Sequence, residues 1–361
     1  MNSGALFDKA EQAIIAGDAA TLEQLLPALR EQSGERPWYG KRPNPTWLPA
    51  EDATSTLLRE HHVETPDALR ALLEARADAS SPVARFEYAV DAIVEGDIAS
   101  LQRALAQDSR LVHARSIRKH GATLLHYIGA NGVEGFRQRT PANAVEITEL
   151  LLSAGSDVNA LAHMYGNDTT LGLVATSIHP KRAGVQIALL RTLIDNGATI
   201  DDQAVNACLA NGRREAAEFL ASRGARLDFE GAAGVGDLDL VRSSLQHATP
   251  TGRERAFDWA CEYGRNAVIE FLLASGIDIG AGLHCAVIGG EVDTIRLLLA
   301  HGASLEARNQ YDGTVLGQAV WCAYHGDSGI DYVPIIRLLI DAGANVETLQ
   351  PYIEDILSRK L

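Results

Sequence analysis

Short stretches with apolar residues at i, i+3 and i+4 recur along the chain: EITELLLS, ALLRTLID, EAAEFLAS, VIEFLLAS, TIRLLLAH and IIRLLIDA. Each predicts a helix that buries one stripe. Each runs into a turn with a Gly, an aliphatic residue and an acid or amide: AGSDVNA (154–160), NGATIDD (196–202), RGARLDF (223–229), SGIDIGA (275–281), HGASLEA (301–307) and AGANVET (342–348). Gly at that place suits the left-handed residue that ends a helix. A shorter helix, often closing on Gly, comes before: YIGANG, ACLANG, ACEYG, AVIGG. The unit is helix, turn, helix, loop. Its repetition predicts an all-α solenoid whose units bury their stripes only against their neighbours.

Gly121, Thr123, Leu125 and His126 form a Gly-x-Thr-x-Leu-His opening, partly copied at Gly313, Thr314 and Leu316, with Leu283-His284 keeping the last pair. On these residues the chain resembles the ankyrin-repeat family, over about residues 84 to 350. TLLHYIGANGVEGFRQRTPANAVEI, MYGNDTTLGLVATSIHP and WACEYGR look more narrowly like a bacterial group of ankyrin-repeat proteins, a resemblance that carries no activity with it. The fold expected is an ankyrin-type helical repeat solenoid of about eight units. It follows an N-terminal helical extension (1–82), occupies 83–347 and is closed by a C-terminal capping helix (348–361). The resemblance implies that His126 and His284 bond backbone, and a Thr hydroxyl, to hold adjacent repeats together.

The spacing is uneven. Gly155 to Gly197 is 42 residues, Gly197 to Gly224 is 27, Gly276 to Gly302 is 26 and Gly302 to Gly343 is 41, against about 33 in a standard ankyrin repeat. The short middle units lack a β-turn finger, whereas ALAHMYGNDTT and EARNQYDGT read as fingers. Insertions fall at 132–143, 178–184 and 323–331. Either the concave face is recessed at its centre or the repeats have simply drifted. Before the array, residues 5–29 copy the cadence of 86–105 and predict two helices joined at Gly-Asp. Pro66 and Asp67 open another helix. GERPWYGKRPNPTWLP (34–49) has too many prolines for a helix. Its Trp38, Tyr39 and Trp47 either cap the open end of the stack or fold over the concave face as a lid.

Counting back from the helix-ending glycines gives the groove-facing residues. They are Tyr127 and Asn131 before Gly132, Trp259, Glu262 and Tyr263 before Gly264, Cys285 and Ile288 before Gly290, and Gln318 and Trp321 in the last long unit. Between the aromatic groups lies EGAAGVG (230–236), poor helix-forming material. It leaves room for a ligand or allows two helices to approach closely. Glu262, one acid among Trp259, Cys261 and Tyr263, is the best candidate for acid–base chemistry, with Arg265 as a possible ion-pair partner. Asp258 falls in the His slot of its repeat and is expected to bond the next one. Arg137, Arg139 and His179 stand in insertions; they read as a small basic cluster for a carboxylate or phosphate, or as loop residues paired with nearby acids.

Composition narrows the function. The net charge of −15 excludes a general nucleic-acid or anionic-membrane binder. No apolar run reaches the roughly 18 to 20 residues of a membrane span. The N-terminus does not read as a signal peptide, and four dispersed cysteines without CxxC spacing point to reduced thiols in a cytoplasmic setting. No metal or cofactor is expected, since HExxH, P-loop, GxGxxG and GxSxG motifs do not occur. The reading that results is a non-catalytic recognition scaffold binding a protein or peptide of basic or neutral surface in its groove. The alternatives are a small-molecule binder or enzyme with a pocket around Trp259, Glu262 and Tyr263, and a structural oligomer element. The oligomeric state is left open.

Overall fold

Helices account for almost every regular element in the computed structural model, which describes residues 3–34, 53–166, 168–326 and 329–358. Trp38, Tyr39 and Trp47 lie outside the described residues. The chain divides into two units, Met1–Phe219 and Leu220–Leu361, so the expected boundary at residues 82 and 83 falls inside the first.

The first unit opens with α1 (Ser3–Ala16) and α2 (Ala19–Gly34), the expected helix pair joined at Gly17-Asp18. Then come α3 (Ala53–Glu60), which the hydrophobic pattern does not reveal, and α4 (Pro66–Ala77). Thr65 starts α4 by accepting from the Ala68 backbone N–H at 3.1 Å, with Pro66 in the first turn, where its missing N–H costs nothing. Leu6, Phe7, Leu25, Leu57, Leu69 and Leu72 build a small core among these four helices. Phe136, from the insertion at 132–143, packs onto it.

Next are α5 (Pro82–Glu95) and α6 (Ile98–Gln107), then the 3-10 segments Ser109–His113 and Leu124–Gly129, the latter packed on α7 (Ala144–Ser153). The segment expected to run as a helix to Gly132 is therefore 3-10 and stops early. Ala130 is left-handed (φ 46°), and a Cβ on Gly129 would come within 2.6 Å of the Leu173 side chain. Packing overrides helical propensity there. A finger follows, β1 (Leu161–Ala162) antiparallel to β2 (Asp168–Thr169). Arg115 Nη1 donates to the Leu161 carbonyl at 2.7 Å and to Gly121 at 2.9 Å, tying this finger to the preceding one. The unit continues through α8 (Thr170–Thr176), α9 (Ile178–Arg182), α10 (Gln186–Asp195) and α11 (Ala204–Ala210) to α12 (Arg214–Ser222). The IHPKRAG insertion thus forms its own short helix, α9.

The second unit stacks α13 (Phe229–Val235) with α14 (Leu238–Ser244), α15 (Pro250–Glu262) with α16 (Asn266–Ala274), α17 (Gly282–Gly289) with α18 (Val292–Ala300), and α19 (Val315–His325) with α20 (Val333–Asp341). The cap, α21 (Gln350–Ser358), lies on α19 and α20 and buries Ile353 and Ile356. One apolar core runs through the unit, including Phe257, Ile269, Leu283, Val287, Leu298, Leu316 and Ile336. The first helices α13, α15, α17 and α19 form a row in which each packs on the next. As the spacing indicated, α16 passes to α17 without a strand, whereas 309–313 closes a finger turn with Asn309 N–H bonded to the Gly313 carbonyl at 3.0 Å.

Small residues set the spacing of this row. A Cβ at Gly289 would stand 1.8 Å from the Glu262 backbone carbonyl, and one at Gly282 2.6 Å from the Phe257 ring. Ala232, Ala233, Ala256 and Ala260 are fully buried in the same core. In an isolated helix, Gly to Ala gains about 1 kcal/mol of propensity. Gly289→Ala is nevertheless expected to destabilise the second unit by about 1–3 kcal/mol, because α15 and α17 must separate. Urea denaturation of the two proteins checks this; a stabilised variant would contradict the close approach.

Candidate functional site

The row of first helices carries the most unusual surface of the second unit. Glu262, Ile288 and Trp321 stand at matching places on α15, α17 and α19, one helix apart. Ile288 is 41% exposed and Trp321 47%, both high for large apolar groups. Trp321 rests on His325 with ring centroids 5.2 Å apart. Ile288 is fixed from behind, its carbonyl accepting from the Tyr332 hydroxyl at 3.0 Å. Trp259 and Tyr263, expected to face the groove, are buried, with 9% and 5% exposure.

Two carboxyls sit in this setting, both half-buried. Burial raises Glu262 from 4.5 to about 7, with a contribution from the nearby Asp258 charge, against a hydrogen bond with Tyr263 that lowers it. Burial raises Asp258 from 3.8 to about 6, opposed by the Cys285 thiol of α17 and assisted by Glu254. The same burial and the two carboxylates push the Cys285 thiol far up, so it is not a thiolate at neutral pH. Arg265 donates its Nε to the Gly234 carbonyl at 2.8 Å, from the start of α16 to α13. The pair can therefore hold or release a proton near neutrality, and a cation brought to it would find charge that burial otherwise suppresses.

In the first unit the structure assembles something the sequence reading did not foresee. Glu87, Arg118, Glu134 and Arg137, all almost fully buried, form one ionic network. Arg118 takes both oxygens of Glu87, the Nη2–Oε2 bond being 2.9 Å, and its Nε lies 2.7 Å from Glu134 Oε1. Arg137 Nη1 donates to Glu87 Oε2 at 2.7 Å, and its Nη2 and Nε donate to Asp91 Oδ1 at 2.6 and 3.0 Å. Tyr127 completes it, donating to Glu134 Oε1 at 3.1 Å. Burial alone would raise the Glu134 carboxyl; the Arg118 and Arg137 charges, with His120 Nε2 3.7 Å from Oε2, outweigh it and hold the group well below 4.5. Glu87 is lowered by the same two arginines.

This corrects two expectations. Tyr127, at 1% exposure, faces no groove: its slot points into the network. Arg137 is not a surface cation available to an anion, because Glu87, Asp91 and Glu134 already occupy its guanidinium. Arg139 does stay exposed, 3.5 Å from Glu95. His179 lies on α9, where burial and then the charges of Arg182 and Arg213 push its pKa down to about 4. The three do not act as one basic cluster. Asn131 links the finger to α8, donating to Thr176 Oγ1 at 3.3 Å and accepting from Tyr165 at 2.9 Å.

Of the Leu-His slots, His126 makes both expected bonds and His284 only the one to backbone, its Nδ1 being buried without a hydrogen bond. His126 Nδ1 lies 2.8 Å from Thr123 Oγ1 and Nε2 3.0 Å from the Ala160 carbonyl of the next unit, and His284 Nε2 lies 3.0 Å from the Ala307 carbonyl. Among the described residues no group of three His, Cys, Asp or Glu side chains could hold a metal ion, and no helix is long and apolar enough to cross a membrane.

Residues 257–350, from within α15 to the start of α21, match the family model "Ankyrin repeats" in three copies. A zebrafish (Danio rerio) protein described as "Putative palmitoyltransferase ZDHHC13" is 24% identical over 222 residues, 60% of this chain. The match spans only 30% of that protein. The ankyrin repeat domain of human ASB11 is 20% identical, with a TM-score of 0.37, over 71% of this chain and 98% of its own. The ankyrin repeat domain of Bcl-3 is 19% identical, with a TM-score of 0.33, over 64% and 92%.

Two variants test the electrostatics. Because folding raises the Glu262 pKa, the folded state disfavours its ionised form, and stability falls as pH rises from 4.5 through about 7. Glu262→Gln is expected to gain about 1–3 kcal/mol at pH 8, from 1.36 kcal/mol per pKa unit, and nothing at pH 4. Denaturation at both pH values checks it. In the first unit, Arg118→Met leaves Glu134 and Glu87 short of a buried partner and is expected to cost about 3–5 kcal/mol. Since the native pKa values of Glu87 and Glu134 lie below 4.5, their stabilisation is complete above that value and is lost on acidification through the lower native ones. Hydrogen exchange in Pro82–Glu95 between pH 7 and pH 3 should show protection fading in the wild type.

Proposed function

We propose that the chain is a recognition scaffold whose partner-binding surface is the first-helix row of the second unit. Its partner is a protein segment that presents a basic side chain beside an apolar or aromatic one. The observation that carries this reading is the adjacency of exposed Ile288 and Trp321 to the half-buried carboxyls Glu262 and Asp258. Ankyrin repeats generally mediate protein–protein contacts, and the array at 257–350 holds all four residues.

An exposed Trp beside an exposed Ile is an inexpensive anchor, since its desolvation is favourable and its two torsions cost little entropy. A lysine or arginine reaching Glu262 converts it to the carboxylate, so the partner's charge and the site's proton exchange on binding. The net charge of −15 steers basic segments toward the chain generally.

Selection from a displayed peptide library tests the proposal. The recovered sequences should combine Arg or Lys with an aromatic or aliphatic residue. Trp321→Ala and Ile288→Ala should weaken them by about 10-fold or more, the range of interface anchors. Glu262→Gln should weaken them while the protein becomes more stable, which separates loss of the site from loss of the fold. Peptides that bind equally well to all three variants would overturn the assignment.

A further inference from the structure

We propose that the first unit holds a second binding site, a cleft between α4, α5 and α6 that takes a small organic carboxylate with a short apolar body. The cleft has a volume of about 370 Å³. Arg76 of α4 and Arg85 of α5 line it, with Tyr88, Gln107 and a wall of Ala77, Ala79, Ala84, Ala104 and Leu111. Nothing in the first-helix row of the second unit contributes to it.

The argument is an imbalance in hydrogen bonding around the cleft. Glu87 and one oxygen of Asp91, the acids that border it, are already engaged. Glu87 is held by Arg118 and Arg137, and Asp91 Oδ1 receives two bonds from Arg137 at 2.6 and 3.0 Å. The cations are not. Arg76 reaches Glu11 and Asp91 only at 3.6 and 3.7 Å, beyond hydrogen-bond length. Arg85 donates Nη1 to the Ser80 carbonyl at 2.7 Å, but its Nε is buried without an acceptor. Its acid, Asp108, stands 3.7 Å away and is taken by Arg110 at 2.8 and 3.0 Å. Two guanidinium groups with unused donors thus face one cleft, and a buried donor left unmade is costly.

What satisfies them is an anion of one charge. A planar carboxylate matches the guanidinium fork with two parallel bonds. A dianionic phosphate would meet stronger repulsion from Asp91 and Glu87. The alanine and leucine wall accepts a short hydrocarbon.

Calorimetric titration of the whole chain with hexanoate, hexanamide, hexylamine and inorganic phosphate tests this. Hexanoate should bind, and hexanamide, with the same body and no charge, should bind at least about tenfold more weakly, the loss of one charge-assisted contact. Arg85→Gln and Arg76→Gln should each reduce hexanoate binding by a similar factor. Ala84→Leu should abolish it by filling the cleft while leaving both arginines in place, and near-ultraviolet circular dichroism reports whether each variant is folded. No binding of hexanoate at millimolar concentration, equal binding of hexanamide, preference for phosphate or hexylamine, or unchanged binding in folded Ala84→Leu would each overturn the proposal.

Discussion

Everything in the second unit depends on how closely one helical hairpin can approach the next. A hairpin with a single apolar stripe has no core of its own, and its stability is borrowed from its neighbours. Gly289 lets α17 rest against the backbone carbonyl of Glu262, a distance no side chain would permit. That contact fixes the register that lets the Cys285 thiol reach Asp258 and sets Ile288 and Trp321 at the same height on the following helices. Glu262 is half-buried in the same row, which is why its carboxyl gives up its proton reluctantly. The exposed apolar pair and the suppressed charges are both consequences of one backbone approach.

The first unit solves its packing differently. Its leading segment, Leu124–Gly129, is 3-10 and too short to seal a hairpin by apolar burial alone. Glu87, Arg118, Glu134 and Arg137 fill that place. A hydrophobic cluster of equal volume would stabilise at least as well, so the network's distinctive effect is on register: only one arrangement pairs every buried charge. It binds α5, residues 116–120 and the 132–143 insertion into one body, and the insertion in turn sends Phe136 into the N-terminal helices. Arg118 and Arg137 are committed to that task, whereas Arg76 and Arg85 keep donors to spare.

The repeat was legible because its period is long and its glycines are regular. Most helix positions follow from spacing and cap chemistry, while the fingers at 161–169 and 309–313, the strandless middle units and the roles of His126 and His284 follow from the resemblance to ankyrin repeats. The charged network was hidden because its members come from places with no common period. One signal was present: on α5, Glu87 shares a face with Val90 and Val94, an acid in an apolar stripe that requires a buried cation. Counting back from Gly132 failed for Tyr127 because a 3-10 segment rotates its side chains differently from an α-helix. Trp259 and Tyr263 were placed on the correct helix, yet their size buries them in a row spaced by alanine and glycine. Trp321, on the last helix of the row, is left uncovered. The pattern of α3 was too short and too polar to stand out.

The central claim is that the first-helix row of the second unit is where a partner docks. Hydrogen–deuterium exchange, with and without a peptide from the display selection, tests it most directly. The account predicts new protection concentrated in the last turns of α15, α17 and α19, around residues 259–263, 285–289 and 318–325, with little change in α16, α18 and α20. Protection confined to the second helices of the hairpins, or to the first unit, would contradict it.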